Sequence, residues 1–254
     1  MSDSRVKIAV MKIALVTGAG SGIGAGIAER FVAEGARVAI VDINAEASVE
    51  LAHRLGPAAC AFTADVGNAE SVRNMAHAVA SSLGVPDILV NNAGIGHLPQ
   101  PLEELTEETF DRLYHVNIRS IYLTARAFVP SMRKRGTGAV LNIASTAGVS
   151  PRPNLTWYNA SKGWVITATR SMAVELAKAG IRVNAINPVA SETPLLATFM
   201  GTDTPEIRAK FLASIPLGRF ATAQDMASAA VFLCSDEASM ITGVALEVDG
   251  GRCI

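Results

Sequence analysis

Cysteine is scarce in this sequence, and neither sign of charge is in excess. The three cysteines, Cys60, Cys234 and Cys253, are far apart and form no CxxC pair, which argues against a disulfide framework and against a zinc site. The 22 lysines and arginines balance 23 acidic residues, for a net charge of −1. This balance argues against a nucleic-acid-binding protein and a polybasic membrane patch. We predict reduced thiols, no metal site, and neither a nucleic-acid nor a membrane partner.

Long uninterrupted apolar runs are also missing. No segment reaches the ~18 consecutive apolar residues of a membrane-spanning helix. The apolar stretch from Val6 to Val16 is interrupted by Lys7 and Lys12, whereas a secretory signal needs an unbroken apolar core. We therefore predict a cytoplasmic protein in which residues 1–10 form a leader and the approach to a first strand.

Hydrophobic residues, in contrast, make up 50% of the chain and charged residues 18%, which indicates a well-buried core. Short apolar runs alternate with segments of helical periodicity, and no repeat or long linker divides them. Because these runs are continuously apolar, they predict a parallel sheet with helices on both faces. We predict a single α/β domain over residues 1–254, with a Rossmann-type doubly wound parallel sheet of about seven strands.

The predicted strands cover residues 13–16, 38–41, 59–63, 88–90, 139–143, 183–186 and 244–248. Helices are expected between them, including a long one over residues 107–135 that Pro130 bends or ends, and another over 157–179. Residues 193–216 have mixed polarity and two proline-containing turns. We predict that they form a helical flap over the substrate.

A glycine-rich stretch, Thr17-Gly18-Ala19-Gly20-Ser21-Gly22-Ile23-Gly24, joins the first strand to the first helix. Backbone without side chains at such a position suits close approach to a phosphate at a helix N-terminus. Its glycines match no register of the strict G-x-G-x-x-G dinucleotide pattern. On this motif alone, a tight turn without a ligand is also open.

Asp42 ends the second strand about 20 residues beyond the loop, where the ribose hydroxyls of a dinucleotide would lie. A carboxylate accepts a hydrogen bond from a 2′-hydroxyl and repels a 2′-phosphate. Arg37 begins the same strand and is too far from the phosphate position, and Ser21 in the loop is not a cation. The sequence therefore favours NAD over NADP.

Polar residues also follow the third and fourth strands. The carboxylate of Asp65 would accept from the adenine amine, although on its own a helix N-cap or turn is the better interpretation. Asn92-Ala93-Gly94 follows the fourth strand at the same sheet edge, and on its own could be a plain turn.

Ser145, Tyr158 and Lys162 form the most informative group. Tyr158 and Lys162 are four residues apart in a helical segment, so their side chains share a face. Ser145 follows the adjacent strand at the carboxyl edge, where open α/β sheets bind ligands. A lysine ammonium near a tyrosine favours the phenolate, which predicts a lowered pKa for Tyr158 and acid–base chemistry at a carbonyl or alcohol oxygen.

Together these residues resemble the short-chain dehydrogenase/reductase family over nearly the whole chain. The glycine loop, Asn91-Asn92-Ala93-Gly94, Ser145 and Tyr158-x-x-x-Lys162 stand in the family's order and approximate spacing. The resemblance implies hydride transfer between a substrate carbon and nicotinamide C4, with Tyr158 as general acid or base. It further implies that Ser145 positions the substrate oxygen and that Lys162 lowers the pKa of Tyr158 and holds the nicotinamide ribose.

The resemblance also assigns residues that the pattern alone does not. Asn117 would be the fourth catalytic residue and would hold a water that links Lys162 to solvent. Pro188 to Thr193 resembles the family's Pro-Gly loop beneath the nicotinamide, but Val189 replaces the glycine, and a β-branched residue restricts the backbone there. The predicted cofactor site comprises Gly18, Ser21, Gly22, Ile23, Gly24, Asp42, Ile43, Asp65, Val66, Asn92, Ala93, Gly94, Tyr158, Lys162, Pro188, Val189 and Thr193.

The substrate would lie over the nicotinamide, beneath the flap. The predicted substrate residues are Ser145, Tyr158, His97, Arg152, Trp157 and Leu196. A largely apolar flap suits a hydrophobic alcohol or ketone, and a solvent-facing Arg152 is the expected state of most arginines. An Arg152 that faces the site would instead suit a carboxylate or acyl substrate, and the sequence does not decide between the two.

Three functions follow. The first is an NAD-dependent dehydrogenase that interconverts a secondary alcohol and a ketone. The second is a 3-oxoacyl-type thioester reductase that uses NADPH, against which Asp42 argues. The third is a non-catalytic dinucleotide-binding protein on the same scaffold, against which the intact Ser145, Tyr158 and Lys162 argue. The resemblance also implies a homotetramer, or otherwise a dimer, built through the long helices and the last strand.

Overall fold

The computed structural model describes residues 12–254. Within this range, seven strands form a parallel sheet in the order β3-β2-β1-β4-β5-β6-β7. The strands are β1 (Ile13–Thr17), β2 (Arg37–Asp42), β3 (Ala59–Thr63), β4 (Ile88–Asn91), β5 (Gly138–Ile143), β6 (Ile181–Pro188) and β7 (Ala245–Val248). The predicted doubly wound α/β fold is confirmed. The leader predicted for residues 1–10 lies outside the described residues.

Helices cover both faces of the sheet. They are α1 (Gly22–Ala33), α2 (Ala45–Leu55), α3 (Ala69–Ser82), α4 (Glu107–Leu113), α5 (Ser120–Arg135), α6 (Thr156–Leu176), α7 (Pro194–Met200), α8 (Pro205–Ala213) and α9 (Ala223–Cys234). Among residues 12–254, none of them combines the length and hydropathy that a bilayer-spanning helix requires.

Each strand contributes to two separate cores, because successive strand residues point to opposite faces. Val16 of β1 belongs to the core that includes Phe31 of α1 and Met226 of α9. Its neighbour Leu15 belongs to the core that includes Met75 of α3 and Phe128 of α5. This two-sided burial explains why the strands are continuously apolar in sequence.

The strand order reverses direction between β1 and β4. From β1 the chain builds outward through β2 to β3, and it then returns to add β4, β5, β6 and β7 on the other side. The connections leaving β1 and β4 therefore diverge to opposite sides, and a crevice opens at the carboxyl ends of these strands, the usual ligand-binding position in such sheets.

The helix predicted over residues 107–135 is interrupted. A π-helical turn, Tyr114–Arg119, lies between α4 and α5. Pro130 lies inside α5, which continues to Arg135, so the prediction that Pro130 could end the helix is wrong. Phe128 and Met132, on either side of it, are buried against the sheet, and this packing holds the helix together despite the hydrogen bond that proline cannot donate.

Residues 193–216 contain two short helices, as the predicted flap requires. Both α7 and α8 begin with a proline preceded by a threonine at the N-cap, an arrangement that suits the first turn of a helix.

Candidate active site

A cavity of about 810 Å³ lies at the carboxyl edge of the sheet. Sixteen of the seventeen residues predicted to bind the cofactor line it, and so do Ser145, Arg152 and Leu196 from the predicted substrate set. Four residues predicted to belong to the site do not line the cavity: Gly24, His97, Trp157 and Asn117. The fold thus brings together strand ends and loops that are far apart in the sequence.

The glycine loop depends on glycine for two different reasons. Gly18 and Gly22 have φ values of +60° and +57°, a backbone conformation that other residues rarely adopt. Gly24 lies on α1, where a Cβ would overlap the carbonyl oxygen of Gly18 and the side chain of Asn92. Gly24 therefore permits close packing of α1 against the loop, rather than contact with a ligand.

Thr17 and Asn92 fix the loop to β4. The Asn92 side-chain amide donates to the carbonyl oxygens of Thr17 and Gly18, at 2.8 and 2.9 Å. The Thr17 hydroxyl accepts from the backbone amides of Asn92 and Ala93, both at 3.1 Å. These bonds use both amide hydrogens of Asn92, so this side chain holds the wall of the cavity in place.

Asp42 joins the glycine loop to the second strand. One carboxylate oxygen accepts from the Gly20 amide at 2.8 Å, and the other accepts from the Asn44 amide at 2.9 Å. Each oxygen keeps a further lone pair, and Asp42 lines the cavity. Arg37 points elsewhere, as predicted, and donates to the carbonyl oxygens of Leu83 and Ser82.

Asp65 and the first turn of α1 complete this end of the cavity. Asp65 accepts from the Gly67 amide at 2.8 Å and so forms a turn, while Asn68 is the residue that caps α3. Ser21 occupies the N-cap of α1, and within residues 12–254 its hydroxyl accepts no bond from that helix. The first amides of α1 are therefore available to an anion.

Ser145, Tyr158 and Lys162 meet at the other end of the cavity. Ser145 lies two residues beyond β5, and its hydroxyl accepts from the Ala147 amide at 3.1 Å. Tyr158 and Lys162 are one turn apart on α6, and both are 5% exposed. The Lys162 ammonium donates to the Ile143 carbonyl oxygen at 2.9 Å and lies 5.8 Å from the centre of the Tyr158 ring.

Burial dominates the ionisation of both side chains. It raises the pKa of Tyr158 to about 12, while the neighbouring Ser145 hydroxyl and the charge of Arg152 act in the opposite direction. Burial also lowers the pKa of Lys162 to about 8. The predicted lowering of the Tyr158 pKa is therefore wrong, because desolvation of the phenolate outweighs the Ser145 hydrogen bond and the charge of Arg152.

Asn117 lies in the π-helical turn and is buried. Its side-chain oxygen accepts from the Ile95 amide at 2.9 Å, and its nitrogen donates to the Ile95 carbonyl oxygen at 3.0 Å and to the Ser161 hydroxyl at 3.1 Å. Ser161 in turn donates to the Tyr158 carbonyl oxygen. Asn117 therefore joins the loop after β4 to the first turns of α6.

The helices α7 and α8 contact the end of the cavity that contains Tyr158 and Arg152. Phe199 of α7 packs against Tyr158, with ring centres 4.8 Å apart. The Arg152 guanidinium lies over the Phe211 ring of α8, 4.3 Å from its centre. Phe211 is absent from the residues predicted from sequence, because the apolar spacing of α8 alone does not distinguish it.

His97 and Trp157 differ from the prediction. His97 is buried outside the cavity lining, with Nδ1 at 2.8 Å from the Leu98 carbonyl oxygen. The Trp157 ring turns away from the cavity, donates to the Leu102 carbonyl oxygen at 2.9 Å and packs edge-on against Phe110. Trp157 is adjacent to Tyr158 in sequence, but neighbouring helical residues point about 100° apart, so the two cannot share a face.

Val189 fits its position without backbone strain. It is buried and shares a core with Leu196 and Met200 of α7. Asn154 has the only positive φ outside glycine among residues 12–254, so Val189 has an ordinary negative φ. The valine side chain therefore packs under the flap, in place of the open space that a glycine would leave.

A crevice with these loops, with Ser145 beside the buried Tyr158 and Lys162, is typical of an oxidoreductase that binds a nicotinamide dinucleotide. A family model described as enoyl-(acyl carrier protein) reductase matches residues 18–252. The chain is 46% identical to 4-formylbenzenesulfonate dehydrogenase from Comamonas testosteroni, covering 96% of this chain and 98% of that one. It is 42% identical to D-threitol dehydrogenase from Mycolicibacterium smegmatis, covering 96% and 93%.

Solved structures show the same relationship. A 3-ketoacyl-(acyl-carrier-protein) reductase from Brucella melitensis, crystallised with NADH, is 51% identical and superposes with a TM-score of 0.91 over 96% of this chain and 98% of that one. The chain belongs to the short-chain dehydrogenase/reductase family. The predicted family and the predicted oxidoreductase class are confirmed.

Proposed function

We propose that this protein is an NAD(H)-dependent dehydrogenase that interconverts a secondary alcohol and a ketone. The observation that carries the proposal is the presence of Ser145, Tyr158 and Lys162 in the same cavity as the glycine loop and Asp42. A non-catalytic binding protein would not need a buried phenol and a buried ammonium, because both are costly to bury.

The residues of the cavity fit a nicotinamide dinucleotide. Gly18 and Gly22 line the cavity, so bare backbone faces the position where a pyrophosphate would lie. The uncapped start of α1 would bind that anion. Asp42 would bind the adenosine ribose, Ile43 and Val66 would contact the adenine beside Asp65, and Lys162 and Thr193 would hold the nicotinamide half.

The protein's own part in the reaction is to hold and move a proton. The cofactor, when bound, supplies or accepts the hydride at the substrate carbon. At neutral pH the Tyr158 phenol is protonated, because its pKa is about 12, so in ketone reduction it donates that proton to the substrate oxygen. In alcohol oxidation the phenol must first release its own proton to solvent, and the phenolate oxygen then accepts the proton of the substrate hydroxyl. Ser145 positions the same oxygen.

Asn117 takes a positioning role in this proposal. Its amide holds Ile95 and Ser161, and one lone pair of its side-chain oxygen remains after those bonds. A water that links Lys162 to solvent would bind to that lone pair or to the main chain of the π-helical turn.

NAD preference follows from the charge of Asp42. A 2′-phosphate would meet a carboxylate already held by two backbone amides, and Arg37, the cation on the same strand, is directed away. We expect tighter binding of NADH than of NADPH in fluorescence titrations. Equal affinities would contradict this assignment.

The decisive experiment measures formation of reduced nicotinamide with a panel of secondary alcohols, polyols, hydroxy acids and 3-hydroxyacyl thioesters. Tyr158→Phe should lower turnover by about 10²–10⁴-fold while NADH still binds, since the phenol hydroxyl alone is removed. Full activity of this variant would reject the assignment of the acid–base group.

The alternative is a 3-oxoacyl thioester reductase that uses NADPH. It is supported by the name of the Brucella melitensis protein, although that protein was crystallised with NADH. Turnover of 3-oxoacyl thioesters with NADPH, but of no simple ketone with NADH, would favour this alternative.

Assembly and location belong to the same proposal. Tyr122 of α5 and Trp164 and Val174 of α6 are exposed apolar residues, at 52%, 39% and 82%. Contact between such helix faces would build a homotetramer or a dimer in the cytoplasm. Sedimentation of the purified protein tests the assembly, and a monomer at micromolar concentration would contradict it.

A further inference from the structure

Two arginines, Arg152 and Arg252, lack an acidic partner in the part of the chain that the structure describes. Arg152 lines the cavity and is stacked over Phe211. Arg252, next to the end of the chain, donates to the Ser150 hydroxyl at 3.1 Å, but its Nε is buried without a hydrogen-bond partner among residues 12–254. Arginines at such positions are normally paired with an acid.

The two arginines also lie near one another, because Arg252 donates to Ser150, two residues before Arg152. Burial, and after it the positive charge of Arg252, lowers the pKa of Arg152. Two like charges held together without a counter-ion repel each other, and a negatively charged group bound beside them would remove that repulsion.

The acidic residues of the cavity lie at its other end. Those among the described lining residues are Asp42 and Asp65, at the ends of β2 and β3. Arg152 and Lys162 lie instead beside Ser145 and Tyr158, near β5 and α6. The reactive end of the cavity is therefore positively charged, whereas the end with Asp42 is negatively charged.

We infer that the substrate carries an oxyanion group, a carboxylate or a sulfonate, which binds Arg152 while the reacting oxygen reaches Tyr158. The planar guanidinium presents two parallel N–H groups to such an anion, and the Phe211 ring holds its plane. Arg252 adds a second positive charge. This inference rests on the proposed function and narrows its substrate class.

A different explanation is that Arg152 only fastens α8 over the cavity through its contact with Phe211. In that case its loss would affect charged and neutral substrates alike. If it binds the substrate anion, its loss would affect the charged substrates selectively. The ratio of kcat/KM values for a charged and a matched neutral substrate separates the two explanations.

The substrates for the test are 1-phenylethanol, 1-(4-carboxyphenyl)ethanol and 1-(4-sulfophenyl)ethanol, with 3-hydroxybutyrate and its methyl ester as an aliphatic pair. We expect the protein to prefer at least one anionic member over its neutral partner by about 10- to 100-fold, the range for one charge-assisted hydrogen-bonded pair. Comparison of the carboxylate with the sulfonate identifies the preferred group.

The variants are Arg152→Gln, Arg152→Lys and Phe211→Leu, with Arg208→Gln as the matched control. Arg208 lies on α8 and pairs with Asp203 outside the cavity, so its substitution removes an arginine without touching the site. Arg152→Gln should abolish the preference, Arg152→Lys should keep part of it, and Arg208→Gln should keep it all. Equal losses for charged and neutral substrates in Arg152→Gln and Phe211→Leu would overturn the inference.

A binding measurement keeps this test independent of turnover. Calorimetric titration of the NADH complex with benzenesulfonate should show binding that Arg152→Gln abolishes, whereas uncharged methyl phenyl sulfone should bind equally weakly to both. If no alcohol is oxidised with either cofactor, the proposed function fails while this titration still reports on the anion site. Identical titrations for the two proteins would reject the site.

Discussion

Replacement of Lys162 by methionine should make the protein more stable and inactive at neutral pH. Burial lowers the pKa of Lys162 from 10.5 to about 8. At about 1.4 kcal/mol for each tenfold change in the proton-dissociation constant, keeping this side chain charged costs the folded state about 3 kcal/mol. The lost hydrogen bond to the Ile143 carbonyl oxygen offsets about 1 kcal/mol of this gain, so Lys162→Met should raise the free energy of unfolding by about 2 kcal/mol.

The effect should depend on pH in a definite direction. Below pH 8 the lysine is charged in both the folded and the unfolded chain, so the full cost is present. Between about pH 8 and 10.5 the folded chain loses the Lys162 proton while the unfolded chain keeps it, and the unfolded chain then binds more protons. Stability of the wild-type protein therefore rises with pH in this window relative to the variant, and the advantage of Lys162→Met disappears.

Urea unfolding at fixed protein concentration, followed by tryptophan fluorescence at several pH values, measures this difference. Lys178→Met is the control, because Lys178 is exposed just beyond the end of the same helix. A Lys162→Met variant that is less stable than wild type at pH 7, or a difference that does not change with pH, would refute the reasoning.

Three further substitutions test the walls of the cavity. Asp42→Ala should shift the ratio of NADPH to NADH affinity towards NADPH, and an unchanged ratio in fluorescence titrations would contradict the role of its charge. The same variant should lower the free energy of unfolding by about 1–3 kcal/mol, because two backbone amides lose their acceptor. Gly24→Ala should destabilise the protein by about 1–3 kcal/mol, because the new methyl group would meet the Gly18 carbonyl oxygen. An unchanged free energy of unfolding in urea would show that α1 can move away. Val189→Ala should cost about 2 kcal/mol through the cavity left beside Leu196, and an unchanged unfolding midpoint would mean that the valine is not packed there.

The sheet could be predicted from sequence because each strand is buried on both faces. From Val38 to Val41, successive residues pack alternately into the two cores. Every position is therefore apolar, and the strand is easy to identify. The strand ends were equally informative, because parallel strands place their carboxyl ends at one edge and so bring Asp42, Asn92 and Ser145 into one cavity.

The features that sequence reasoning missed depend on contacts between distant segments. The π-helical turn is absent from any periodicity pattern, because one extra residue per turn shifts the apolar spacing only locally. Burial raises the pKa of Tyr158, and Phe199 of α7, which is distant in sequence, packs against its ring. The contact of Arg152 with Phe211 joins the loop before α6 to α8, and neither sequence carries a sign of it.

The π-helical turn also fixes the angular relationship between α4 and α5. Upstream of it, Leu113 packs with Tyr158 and Ala147 beneath the reactive end of the cavity. Downstream, Leu123 and Phe128 pack against the sheet with α3. Deletion of a single residue within Tyr114–Arg119 would turn one helix relative to the other by about 100°. Either Leu113 would then lose its contact with Tyr158, or Leu123 and Phe128 would lose their contact with the sheet. The π-helical turn is therefore what allows α4 and α5 to keep both sets of contacts.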